Sequence, residues 1–199
     1  MIVMKFGGSS LGTGAALTRV ADIVSARVSR RPVVVVSAIG GTTDRLVAAI
    51  ETAAKGRVEA ALDLIGDLVT ELRRVAAPAV EDTDALDSLL AEHAEALTGL
   101  LGEVPGPTHR GERTDAVLSH GERISSMVVT WVLRVRGVDA VHIDARDVVV
   151  KLYDISTPEL ASTLSLITGK EVQWFPKLTC SVGRSGFEPT PLVASVTQH

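Results

Sequence analysis

Met1-Ile2-Val3-Met4-Lys5-Phe6-Gly7-Gly8-Ser9-Ser10-Leu11-Gly12 decides how this chain is read. Residues 1–6 are short, apolar and partly β-branched, which fits a buried strand better than a helix. The run passes straight into a lysine and two glycines, and Ala15-Ala16-Leu17-Thr18-Arg19-Val20-Ala21-Asp22-Ile23-Val24 follows with Leu17, Val20, Ala21 and Val24 on one helical face. A strand that ends in Gly7-Gly8-Ser9-Ser10 ahead of a helix turns several backbone N–H groups toward one small volume, beside the positive end of the helix dipole. That arrangement suits phosphate. Lys5 adds a mobile ammonium that can meet a phosphoryl group as a point charge.

Working outward, Pro32 precedes Val33-Val34-Val35-Val36, a continuous apolar run of the kind a parallel sheet buries on both faces, and it closes a β-α-β unit. Ser37-Ala38-Ile39-Gly40-Gly41-Thr42-Thr43-Asp44 is then a second strand-to-helix loop, expected on the same carboxyl edge of the sheet, where open α/β sheets bind ligands. From Asp44 to about Leu101 the pattern is helical, in three segments separated near Gly56 and around Ala77-Pro78. Leu62, Ile65, Leu68, Val69 and Leu72 form one apolar stripe, and Leu86, Leu89, Leu90, Ala94 and Leu97 another; both read as core. Glu81, Asp82, Asp84 and Asp87 read as helix-start acids favoured by the dipole.

Thr114 or Asp115 is expected to cap a helix running to about Arg136, with Gly137 at its end. Inside it lies Leu118-Ser119-His120-Gly121-Glu122-Arg123-Ile124-Ser125. A mid-helix glycine costs roughly 1 kcal/mol against alanine, so its expected purpose is close approach of another backbone or a ligand, which draws attention to Glu122. Ala140-Val141-His142-Ile143 and Val148-Val149-Val150 read as further strand, with His142 a structural or surface histidine. Thr157-Pro158-Glu159 opens a short helix ending near Thr168-Gly169, and no sustained periodicity follows.

Composition sets bounds. The 199 residues suffice for one sizeable core, and the 46% hydrophobic content with 3% aromatic points to an aliphatic core of helices on a sheet. A net charge of −4 disfavours a nucleic-acid surface. No apolar run reaches the roughly 20 residues that span a bilayer, and no signal peptide is read at the N-terminus, so no membrane partner and a cytoplasmic address are expected. No metal-ligand spacing is seen, and the single Cys180 reads as a small hydrophobe.

Three motifs resemble the aspartate kinase family, within the amino-acid kinase superfamily: Lys5-Phe6-Gly7-Gly8-Ser9-Ser10, Val36-Ser37-Ala38-Ile39-Gly40-Gly41-Thr42-Thr43-Asp44 and Ser119-His120-Gly121-Glu122-Arg123-Ile124-Ser125. The match covers about residues 1–150. It implies a three-layer α/β/α sandwich, of which this chain would hold the N-terminal portion only. Residues 1–150 would be the N-terminal amino-acid-binding part of the kinase domain, and 151–199 a divergent or truncated, poorly ordered tail. The implied reaction is ATP-dependent phosphorylation of the L-aspartate side-chain carboxylate, at the head of lysine, threonine and methionine biosynthesis.

By that resemblance Lys5 would stabilise the transferring phosphoryl group and, with Phe6, Gly7, Gly8 and Ser9, line the ATP site. Thr43 and Glu122 would contact L-aspartate, Glu122 accepting from its α-ammonium, and Mg²⁺ would arrive with the nucleotide. Thr179-Cys180-Ser181-Val182-Gly183-Arg184-Ser185-Gly186 has a faint likeness to the family's Thr-rich loop, which would make Arg184 a ligand of the substrate α-carboxylate. Phe187-Glu188 replace the Ser-Asp expected there. The alternative is a catalytically inactive remnant or interaction module of the same fold; Ser119-His120-Gly121-Glu122 disfavours kinases of acetylglutamate or carbamate. A homo-oligomer is compatible with either.

Overall fold

The structure, a computed structural model, describes residues 1–102, 110–148 and 192–196. The chain divides into two units, Met1–Ile143 with Pro189–His199, and Asp144–Glu188. Of the second unit the described part is a short helical turn, α6 (Ala145–Val148), preceded by Asp144, whose carboxylate holds Arg146 at 2.7 Å. Val148 therefore sits in a helical turn and not in the expected strand, while Val149 and Val150 lie outside the described residues. So do Cys180, Arg184 and the helix expected after Thr157.

In the first unit β1 (Ile2–Phe6) pairs in parallel with β2 (Pro32–Val36), Met4 opposite Val34 and Lys5 opposite Val35. Between them lies α1 (Gly14–Ser25), capped by Thr13, whose hydroxyl oxygen accepts from the Ala16 amide at 3.1 Å. It buries Leu17, Val20, Ala21 and Val24, the face its periodicity predicts. The expected three helical segments are α2 (Thr42–Ala54), α3 (Val58–Ala76) and α4 (Thr83–Gly102). Asp82 caps α4 by accepting from the Ala85 amide at 2.9 Å, as the acidic helix start implies. The buried stripe of α4, Leu86, Leu90, His93, Leu97 and Leu101, includes a histidine the periodicity did not single out and leaves Leu89 only half-buried.

Helix α5 (Arg110–Val135) starts earlier than expected, so Thr114 and Asp115 lie inside it and not at its N-cap. It ends where expected, at Gly137 with φ +73°. The strand β3 (Ala140–Ile143) follows. A fourth strand, β4 (Leu192–Val196), enters between β2 and β3 and runs antiparallel to both, giving the order β1-β2-β4-β3. The sheet is thus mixed: β1, β2 and β3 run one way and β4 the other. Five residues are too few for a period to show, and a pairing across some 50 intervening residues leaves no local mark.

The register puts Val3, Val33 and Val141 on one face and Met4, Val34 and Val36 on the other. Val34 and Val36 are fully buried in a core shared with α1 to α5. On the opposite face Val3 is 68% and Val141 42% exposed, so the described residues supply one helical layer of the expected sandwich. Among them no helix is long and apolar enough to cross a membrane.

Candidate active site

The first loop leaves β1 at Phe6. Gly7 is extended, and Gly8–Leu11 forms one 3₁₀ turn that ends on the fully buried Leu11. This turn stands between the strand and α1, so the strand does not feed the long helix directly. Lys5, Gly7, Ser9 and Ser10 are exposed, whereas Phe6 packs against the core, which leaves its backbone, not its ring, for any ligand. The Ser37 amide donates to the Phe6 carbonyl at 3.0 Å, so the second loop starts beside the first.

From there the two loops touch backbone to backbone. A Cβ on Gly8 would stand 2.7 Å from the Ala38 carbonyl oxygen, and one on Gly40 would stand 3.3 Å from the Gly8 carbonyl oxygen. Gly41, at φ +80°, turns the chain into α2. Thr42 is buried in the first turn of that helix, and Thr43 beside it is half-buried.

The third motif closes the back of this pair. A Cβ on Gly121 would lie 3.0 Å from the Ala38 Cβ and 3.1 Å from the Thr42 Cγ2, so the mid-helix glycine admits the second loop against α5. Ser125, fully buried one turn on, accepts from the Ile39 amide at 2.7 Å and donates to the Gly121 carbonyl at 2.9 Å. Glu122 is 2% exposed, and its Oε1 has no hydrogen-bond partner among the described residues. Burial pushes its carboxyl above the ordinary value of 4.5, and the backbone amides of Glu122 and Ala38 pull the other way. A buried carboxylate oxygen without a partner is costly unless the group takes a proton or a donor or cation meets it.

On the other side of α5, His120 meets His93 of α4, Nδ1 to Nδ1 at 2.7 Å, with the rings edge-on at 4.9 Å between centroids. One ring donates and the other accepts. His142 has its Nε2 2.7 Å from the Ser126 Oγ, a structural contact like the one expected of it.

The residues singled out from sequence therefore divide. Gly8, Gly40 and Glu122 lie in or against one wall built from three distant stretches. Lys5 is exposed on β1, Thr43 sits in the first turn of α2, and Arg184 lies outside the described residues. Sequence reasoning passed over Ala38, Ser125 and the His93–His120 pair. For Ser125 the signal was its place in the glycine motif, one turn after Gly121. Among the described residues no group of three or more His, Cys, Asp or Glu is arranged to hold a metal ion.

The amino acid kinase family model matches residues 1–175. The chain is 35% identical over 149 residues to lysine-sensitive aspartokinase 3 of Escherichia coli, covering 74% of this chain and 32% of that protein. It is 34% identical over 152 residues to the chloroplastic bifunctional aspartokinase/homoserine dehydrogenase 1 of Arabidopsis thaliana, covering 74% of this chain and 16% of that one. Among solved structures it resembles E. coli aspartokinase III in complex with aspartate and ADP, with a TM-score of 0.63 at 28% identity, over 83% of this chain and 37% of that one. The same enzyme in complex with lysine and aspartate gives a TM-score of 0.66 at the same identity and coverage. The chain thus spans about a third or less of the length of these relatives.

Proposed function

From the premise that this chain belongs to the amino acid kinase family and shares its α/β fold, we propose that it is the amino-acid-binding part, residues 1–150, of an aspartate kinase. The reaction is ATP-dependent phosphorylation of the L-aspartate side-chain carboxylate to 4-phospho-L-aspartate, the first step toward lysine, threonine and methionine. The observation that carries this reading is Glu122: a buried carboxylate whose Oε1 is unpartnered, set against two touching glycine loops. An α-ammonium is the group that such an oxygen lacks.

The reaction asks for no nucleophile from the protein. The substrate carboxylate is ionised at neutral pH; its oxygen attacks the γ-phosphorus, the bond from that phosphorus to the β,γ-bridging oxygen breaks, and ADP leaves with the electron pair. Catalysis is then positioning and charge stabilisation. Lys5 faces the charge that develops on the phosphoryl oxygens, and the backbone of Phe6, Gly7, Gly8 and Ser9 receives phosphate. Thr43 contacts L-aspartate together with Glu122. Mg²⁺ enters as part of the nucleotide substrate, keeping several of its waters. A cytoplasmic setting suits these substrates, and a homo-oligomer is compatible with the site.

A second reading is a non-catalytic interaction module of the same fold, which draws on the exposed sheet face that carries Val3 and Val141. Calorimetric titration of the 199-residue chain separates the two. L-Aspartate is expected to bind and ATP to bind weakly or not at all. Absence of any L-aspartate binding at millimolar concentration would sink the first reading. Micromolar ATP affinity with formation of aspartyl phosphate would show that the chain carries a whole site.

A further inference from the structure

We propose that Ser125 is a positioning residue that sets the distance between the two glycine loops and thereby holds Glu122 in register with them. The part of this that concerns ligand affinity rests on the function proposed above; the part that concerns the loops does not.

The hydroxyl's roles are fixed by its partners. The Gly121 carbonyl can only accept and the Ile39 amide can only donate, so the Ser125 proton goes to Gly121 and a lone pair faces Ile39. Thr52, Thr70, Ser88 and Thr98 make the same bond to the carbonyl four residues back, on exposed or half-buried helix faces. At Ser125, which is fully buried, that bond aims the oxygen across to a loop 86 residues away in the chain.

The neighbouring contact runs in parallel. Glu122 and Ser125 are three residues apart and share a face of α5. The amide of Ala38 acts on the Glu122 carboxylate, and the amide of Ile39 donates to Ser125. The Ile39 amide is thus held by Ser125, and Ala38, the residue before it, lies against Gly121 and close to Glu122 on the same helix face. On its far side the same loop presses the Ala38 carbonyl and Gly40 against Gly8. Ala38–Gly40 has no slack: Gly121 stops it on one side and Gly8 on the other. Losing the Ser125 oxygen would leave a buried amide without an acceptor, and the loop would move to satisfy it, carrying the first loop along.

The test is amide hydrogen exchange by NMR on the 199-residue chain, with Ser125→Ala, joined to an L-aspartate titration. Alanine is a good helix former, so α5 is expected to persist. Ile39 should exchange at least tenfold faster while Val34 and Val36 keep their protection, and the Gly8 and Gly40 amide shifts should move. L-Aspartate affinity should fall about tenfold, with the melting temperature lowered by the loss of one buried hydrogen-bond acceptor but the fold retained. Unchanged Ile39 exchange overturns the proposal. So does a uniform loss of protection with Gly8 and Gly40 unmoved, which is what a merely structural role gives, or a loosened Ile39 with full L-aspartate affinity. If the unsubstituted chain takes no L-aspartate, the functional reading fails and the Ile39, Gly8 and Gly40 signals alone decide this one. If Ser125→Ala does not fold, Ser125→Thr keeps the hydroxyl and must keep the Ile39 protection; its loss overturns the proposal.

Discussion

The carbonyl oxygen of Ala38 lies 2.7 Å from where a Cβ would stand on Gly8, so two loops separated by some 30 residues meet with no room for a side chain between them. The obstacle is backbone, which cannot swing aside like the end of a lysine. Gly8→Ala should therefore push the loops apart and cost on the order of 1–3 kcal/mol, the usual range for overpacking. Gly7 is the control, since a Cβ there meets nothing within 4 Å. Urea unfolding should show Gly8→Ala destabilised and Gly7→Ala close to the parent; equal effects would mean that the contact does not constrain the loop.

Glycine-to-alanine changes inside two helices should move stability in opposite directions. At Gly66, in α3, a new Cβ meets nothing within 4 Å, so the helix preference of alanine acts unopposed and stabilises by up to about 1 kcal/mol. At Gly121 the same preference is opposed by the Ala38 Cβ at 3.0 Å and the Thr42 Cγ2 at 3.1 Å. The Ala38 Cβ can retreat only with its backbone, which Ser125 holds through Ile39, so overpacking wins and the variant loses roughly 1–2 kcal/mol net. Thermal unfolding of both variants checks the pair, and a stabilised Gly121→Ala would contradict it.

These contacts show what was legible in the chain and what was not. Helices α1 to α4 could be read because apolar periodicity is local: Leu17, Val20, Ala21 and Val24 point one way whatever lies elsewhere. The three motifs could be placed on loops and on a helix for the same reason. That Gly8, Ala38 and Gly121 would touch is non-local and depends on the register of β1 against β2 and on the seating of α5. The strand β4 was missed because its pairing with Val33 to Val36 lies far away in the chain. His93 was missed because it stands at an apolar position of α4, where its bond to His120 of α5 depends on how the two helices pack.

Glu122 should make the fold pH-dependent in a definite direction. Its folded-state pKa is raised by burial, so the carboxyl contributes most to stability when protonated, below its ordinary 4.5, and that contribution is lost as pH rises through the raised value. Glutamine does not titrate. The stability of Glu122→Gln relative to the parent should therefore rise between pH 4.5 and 7.5, whatever its offset at the acid end. In the proposed site its L-aspartate affinity should fall at least tenfold, because a neutral amide would replace the carboxylate proposed to meet the α-ammonium. Urea unfolding of both proteins across that range checks the first part, and a difference that stays constant with pH would refute it.

The His93–His120 contact should show energetic coupling. Both rings are buried, and the 2.7 Å Nδ1–Nδ1 bond joins α4 to the turn of α5 that carries Gly121 and Glu122. His93→Leu removes that bond at a buried ring, at a cost of about 1–3 kcal/mol. The double change to leucine should cost less than the two single changes added together, since neither Nδ1 is then left facing a lost partner. A double-mutant cycle with coupling below about 0.5 kcal/mol would mean that the other contacts of the two rings carry the junction.

Lys5 should separate binding from chemistry. Its side chain is exposed near the end of β1, opposite Val35 in register, so Lys5→Ala should leave stability within about 0.5 kcal/mol of the parent. In the proposed reaction the ammonium matters most when charge builds on the phosphoryl oxygens, not when L-aspartate first binds. L-Aspartate affinity should then be unchanged, in contrast to Glu122→Gln. Any aspartyl phosphate formation should drop by about 10² or more, the range seen when one preorganised charge-stabilising group is removed. Wherever turnover is measurable, retained kcat in Lys5→Ala would take Lys5 out of this role, and a loss of L-aspartate affinity alone would move it to the substrate side of the site.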